Sequence, residues 1–149
     1  MRALSRRAAL ALGLGTAAAL GGVDRARATP SEADEAIAKF TGGKQLGPGR
    51  ISIDLPEIAE NGTAVPLAVT VESPMTTADR ITDVLVVADG NPNPRVANFQ
   101  FTPMSGRAEV ATRIRLNATE NVIVVARTGD GRFLTARKEV KVTIGGCGG

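Results

Sequence analysis

The sequence predicts an all-β fold: an immunoglobulin-like antiparallel β-sandwich of about seven strands, with a short N-terminal helix and a flexible Gly-rich C-terminal arm. Three observations predict it. Short segments between residues 51 and 144 mostly alternate apolar and polar side chains with a period of two, which predicts polar outer faces, while 80–88 and 122–128 are more continuous apolar runs. Turn residues separate them, among them Asn91-Pro92-Asn93-Pro94 and Gly129-Asp130-Gly131. No helical pattern lies between them, which excludes a doubly wound parallel sheet.

The elements follow in chain order. Residues 1–28 read as a cleaved export signal: Ser5-Arg6-Arg7 precedes an apolar run from Ala8 to Val23, and Ala26-Arg27-Ala28 has the small-x-small form of a cleavage site. The paired arginines and the weakly apolar Ala/Gly-rich run resemble a twin-arginine signal, although Ala8-Ala9 stand where a bulkier residue is common. The run is shorter than the roughly 20 residues that span a bilayer. Ser31 after Pro30, with Asp34 three residues on, predicts a capped helix. Ala33, Ala36, Ile37 and Phe40 mark its apolar face, and Gly42-Gly43 ends it. A loop runs to Pro48-Gly49. Strands are then expected at 51–55, 65–71, 80–88, 96–101, 109–116, 122–128 and 134–144. The expected organisation is a signal over 1–28, a β-sandwich domain over 29–144 and an arm over 145–149.

Composition narrows the chemistry. The chain of 149 residues has no His, no Trp, no Tyr and one Cys. A Cys/His zinc site lacks its ligands, and a Ser-His-Asp or Cys-His apparatus lacks its base. No cofactor ligands are visible, and no intramolecular disulfide can form. Four Phe make a base-stacking nucleic-acid surface improbable. The net charge of +3 belongs to the leader; without its five Arg and one Asp, 13 basic and 14 acidic residues remain. The mature chain thus has no compositional case for binding nucleic acid or, once the signal is cleaved, a membrane.

The informative feature is the end, Ile144-Gly145-Gly146-Cys147-Gly148-Gly149. Glycines surround the single thiol, so the arm is expected to have no preferred conformation and little bulk. Extended, it places Cys147 about 10 Å beyond Ile144. No neighbour in sequence activates the thiol, and the Gly149 carboxylate opposes its ionisation. An accessible but unactivated thiol describes a carrier that other proteins act on, rather than an enzyme. Alternatives stay open: an incidental Cys in a disordered tail, or an intermolecular staple in a structural or adhesive sandwich. Prenylation needs the Cys fourth from the end, and lipoprotein attachment needs it at the cleavage site. Ubiquitin-like sulfur carriers also end in Gly-Gly, but they work where ATP is available and mix a helix into the sheet.

The terminal pentapeptide, with the twin-arginine leader and an all-β body, resembles the SoxY family, the sulfur-carrier subunits of periplasmic thiosulfate-oxidising systems. Asn91-Pro92-Asn93-Pro94, Arg113-Ile114-Arg115-Leu116 and Gly129-Asp130-Gly131 add weaker likeness. The resemblance implies covalent attachment of thiosulfate-derived sulfur at Cys147, with Gly145, Gly146, Gly148 and Gly149 as the carrier arm and no cofactor of its own. It implies a SoxZ partner in a heterodimer, exported to the periplasm by the twin-arginine route. It further implies oxidative loading by haem-containing SoxAX, hydrolysis of the adduct by SoxB and, in some organisms, oxidation of the remaining sulfane by SoxCD. Folded export independently suggests a partner. The segment around Phe99 and Phe101 is the expected contact.

Overall fold

The computed structural model describes residues 31–146. Helix α1 spans Glu32–Thr41. The strands are β1 (Leu46–Pro48), β2 (Ile51–Asp54), β3 (Ile58–Asn61), β4 (Val65–Val71), β5 (Ile81–Ala88), β6 (Arg95–Gln100), β7 (Ala108–Ile114), β8 (Glu120–Thr128) and β9 (Phe133–Ile144). One sheet has the order β1-β9-β8-β5-β6, with β3 also paired to β9; the other is β2-β4-β7.

The all-β sandwich is borne out, with two differences of detail. The described residues form nine strands, not about seven, and β1 and β3 pair with β9 in parallel. The other pairings are antiparallel. β1 and β3 share one edge of the 12-residue β9: Leu46 pairs with Phe133 near its start, Ile58 with Lys141 near its end. Leu46-Gly47-Pro48 carries residues that usually break strands, and only its edge position tolerates Pro48.

The helix forms as its caps dictate. The Ser31 hydroxyl accepts the Asp34 N–H at 3.2 Å, the Asp34 carboxylate accepts back from Ser31, and Gly42 closes the helix in the left-handed region at φ 63°. Its apolar face lies on the outer side of the larger sheet. Ala33, Ile37 and Phe40 pack with Leu85, Val87, Ile123, Val125 and Phe133. Phe40 meets Phe133 edge-on, with ring centroids 5.8 Å apart.

The opposite faces of β5 and β8 present Val84, Val86, Ala88, Val122, Val124 and Ala126 to the core between the sheets. These two strands are therefore covered on both sides, which corrects the expectation of a polar outer face for them. Two-sided burial is the reason they read as continuous apolar runs. Facing them across the core are Val65, Leu67, Val69 and Val71 of β4, with Ala108 and Ile114 of β7.

Candidate functional site

The two ends of β9 define two poles of the sandwich, roughly 35 Å apart at the usual rise per residue of a strand. At the pole where β9 ends, four connections converge: the β3–β4 turn, the β5–β6 turn, the β7–β8 link and the residues after Ile144. Backbone hydrogen bonds lace them together. Gly62 N–H donates to the Ile144 carbonyl at 2.7 Å, Leu116 N–H to the Gly62 carbonyl at 2.8 Å, and Gly146 N–H to the Leu116 carbonyl at 2.9 Å.

These bonds hold Gly145 and Gly146 against the body. Gly146 is buried and Gly145 half-buried. A β-carbon on Gly145 would collide with the Asn117 carbonyl oxygen. One on Gly146 would lie 2.7 Å from Arg115 Cγ and 2.9 Å from the Gly62 carbonyl oxygen. The expectation that the arm is free from Gly145 onward is corrected at these two residues. They are glycines because backbone and side chains approach too closely for anything larger. Gly62 is under the same constraint, since its β-carbon would collide with the Leu116 carbonyl oxygen. Cys147, Gly148 and Gly149 lie outside the described residues, as does the expected signal at 1–28.

Under this clamp sits a polar network. Glu120 is 4% exposed. Its carboxyl group accepts N–H bonds from Gly90 at 2.7 Å, Asn117 at 2.9 Å and Ala118 at 3.4 Å. Asn91 donates from Nδ2 to the Arg115 carbonyl at 2.8 Å and accepts the Asn117 N–H at 2.9 Å. Among the described residues no buried side-chain polar atom lacks a partner. The network ties the β5–β6 turn to the β7–β8 link, and so fixes where the chain stands at Gly146.

Of the segments whose likeness to a family was weaker, two meet here. Asn91 and Arg115 are bonded directly. The third, Gly129-Asp130-Gly131, forms the β8–β9 turn at the far pole. Phe99 and Phe101 are half-buried against the inter-sheet core, and β6 lies at the sheet's edge. Glu120 carries no sequence signal that singles it out, and Gly62 and Asn117 stand out only as members of the Asn61-Gly62-Thr63 and Asn117-Ala118-Thr119 sequons, which say nothing of this pole. Arg115 was visible only as part of a likeness. Among the described residues no cluster of three His, Cys, Asp or Glu is placed to hold a metal ion, and no helix is long and apolar enough to cross a membrane.

Comparison with known proteins agrees with this architecture. The family model described as sulfur oxidation protein SoxY matches residues 37–147. The structure of the sulfur carrier protein SoxY from Chlorobium limicola f thiosulfatophilum superposes with a TM-score of 0.63 at 38% identity, covering 74% of this chain and 96% of that one. A superoxide reductase (neelaredoxin) from Ignicoccus hospitalis superposes with a TM-score of 0.56 at 20% identity, covering 62% and 79% of the two chains, and shares the fold alone. No curated protein matches the chain. The chain belongs to the SoxY family.

Proposed function

We propose that this SoxY-family chain is a periplasmic carrier that binds thiosulfate-derived sulfur covalently on Cys147 and presents it to the enzymes of thiosulfate oxidation. Family membership supports a carrier role in sulfur oxidation. The observation that carries the finer reading is the clamp at Gly62, Leu116 and Gly146, which brings the chain to a fixed position one residue before its single thiol.

The chemistry is written around one sulfur atom. The Cys147 thiol and thiosulfate join through a new S–S bond, with loss of one proton and two electrons to a haem-containing partner. The product is a cysteine S-thiosulfonate. Water then cleaves its terminal S–S bond, releasing sulfate and leaving a persulfide on Cys147. The chain supplies position, and its partners supply the oxidant and the activated water; the sequence has no histidine for a Cys-His pair. A SoxZ-like subunit completes the heterodimer in this reading, and the leader at 1–28 takes the pair through the twin-arginine route.

Cys147→Ser tests the assignment. A serine hydroxyl is far too basic to be loaded. The variant is expected to fold, to bind SoxZ and to support no thiosulfate oxidation in a reconstituted system. Full turnover by that variant would overturn the carrier reading. The mass of the protein isolated without reductant gives a second test. A thiosulfonate or persulfide adduct supports the carrier; a clean doubled mass supports the alternative, a structural or adhesive sandwich cross-linked through its cysteine.

A further inference from the structure

The near pole holds the single Asn-Gly step of the chain, Asn61-Gly62. In such a step the backbone can attack its own side chain. The nitrogen of the glycine adds to the side-chain carbonyl carbon of the asparagine, and a succinimide ring closes as ammonia leaves. A glycine after the asparagine makes this easiest, because no β-carbon obstructs the approach. Here the fold fixes both residues. Gly62 lies under the Leu116 carbonyl oxygen, where a β-carbon would collide. Asn61 closes the β3–β4 turn through two bonds to Thr63.

The two reacting groups stand in opposite states. The Asn61 side chain is exposed, and its Oδ1 accepts the Thr63 N–H at 2.9 Å and the Thr63 hydroxyl at 2.8 Å. That oxygen gains negative charge when a nucleophile adds to the carbon, and donors already aimed at it stabilise that charge. The electrophile is therefore activated. The nucleophile is withheld: Gly62 is buried, and its N–H donates to the Ile144 carbonyl at 2.7 Å. The strand register sets Asn61 against the same residue, Ile144. A nitrogen bonded in this way across a strand pair keeps its proton and its place.

We propose that Asn61-Gly62 is a self-modification site, primed by Thr63 and locked by the bond from Gly62 to Ile144. When the near pole opens, the Gly62 N–H gives its proton to solvent hydroxide and the nitrogen bonds to the Asn61 side-chain carbon. The bond from that carbon to the amide nitrogen breaks, and ammonia leaves. Water then opens the ring, giving aspartate or isoaspartate at position 61; no electrons are exchanged. Isoaspartate routes the main chain through the β-carbon and so lengthens it just before Gly62. The Gly62 N–H and carbonyl then cannot meet Ile144 and Leu116 together as they do now. The change runs one way, and it records that the pole has opened. It is independent of the carrier reading, since no step involves the thiol.

The test incubates the chain at mildly alkaline pH and follows residue 61 by peptide mapping with enzymatic isoaspartate detection. The same chain unfolded in urea is the reference. Folded chain is expected to react at least about tenfold more slowly than unfolded chain, as for any site that reacts only through local opening. Equal rates overturn the proposal. Gly146→Ala leaves residues 61–63 unaltered but presses a β-carbon to 2.9 Å from the Gly62 carbonyl oxygen. It should speed the reaction in chain that circular dichroism shows to be folded; an unaltered rate there overturns the lock. If that variant does not fold, the comparison of folded with unfolded unaltered chain decides alone. Thr63→Ala removes the hydroxyl donor and should slow the folded-state reaction about two- to tenfold, the range for one neutral hydrogen bond. A rate unchanged or raised by Thr63→Ala overturns the priming.

Discussion

The two poles of the sandwich are closed in different ways. At the far pole, the side chains of the β8–β9 turn bond chiefly to one another. The Thr128 hydroxyl donates to the Asp130 carboxylate and accepts the Arg132 N–H at 3.0 Å, Arg132 Nε donates to Asp130 at 2.7 Å, and Gly131 takes φ 84°. The side-chain partners lie within four residues, and two bonds reach the turn from farther away: the Gly129 N–H donates to the Arg80 carbonyl at 2.8 Å, and Lys44 Nζ donates to the Gly131 carbonyl at 3.4 Å. These bonds hold the Asp130 carboxyl down at about 2 from its usual 3.8, the Thr128 hydroxyl first and Arg132 second. At the near pole, bonds join Gly62 to Ile144, Leu116 to Gly62, and Glu120 to Gly90. A turn whose side chains bond mostly to one another keeps much of its shape on its own. The near pole exists only when the whole sandwich has assembled, and the position of Gly146 there depends on the complete fold.

Perturbing each pole sharpens the contrast. Glu120→Ala is expected to cost the most, about 2–4 kcal/mol, because it strands the Gly90 and Ala118 N–H groups and empties a buried site. Urea unfolding measures it; a loss below about 0.5 kcal/mol would mean that the pole does not depend on this network. Gly62→Ala comes next, at about 1–3 kcal/mol of overpacking against the Leu116 carbonyl. Hydrogen exchange at the Leu116 and Gly146 amides should quicken in that variant while the β8–β9 turn stays protected. Equal quickening at both poles would contradict their independence.

Asp130→Asn should be smallest, and visible chiefly in acid. The folded pKa lies below the ordinary one, so the ionised group stabilises the fold above about pH 4, and that contribution fades as pH falls toward 2. The variant should lose this part of the pH dependence and little else. An unaltered acid profile between pH 4 and 2 would show that the turn's hydrogen bonds do not discriminate between the carboxylate and an amide.

The same division governed what the residues revealed. The capped helix and the seven alternating strands are local patterns, and all were legible. Leu46–Pro48 and Ile58–Asn61 were not, since each has its strand partner on β9, far along the chain, and neither is long enough to show a period. The apolar runs at 84–88 and 122–126 did carry the sign of two-sided burial, although the sequence does not say that α1 supplies the second cover. The glycines at 145 and 146 were the harder case. Glycine reads equally well as freedom and as close approach, and only the position of Asn117 and Arg115 decides between them. The close approach of Arg115 to Gly146 was hidden by the distance in sequence between residues 115 and 146.

The place of β9 has a consequence in time. It is the last strand described, yet it lies between β8 on one side and β1 and β3 on the other. The segments that become β1 and β3 leave the ribosome early and wait with bare edges for their neighbour. Pairings of such long separation form slowly, because most of the loop between them must be ordered first. The sandwich therefore closes as one late event, and until then neither the clamp at Gly62 nor a fixed position for Gly146 exists. A half-folded chain lacks the bonds that hold Gly146, and the position they define appears only at the step that finishes the fold.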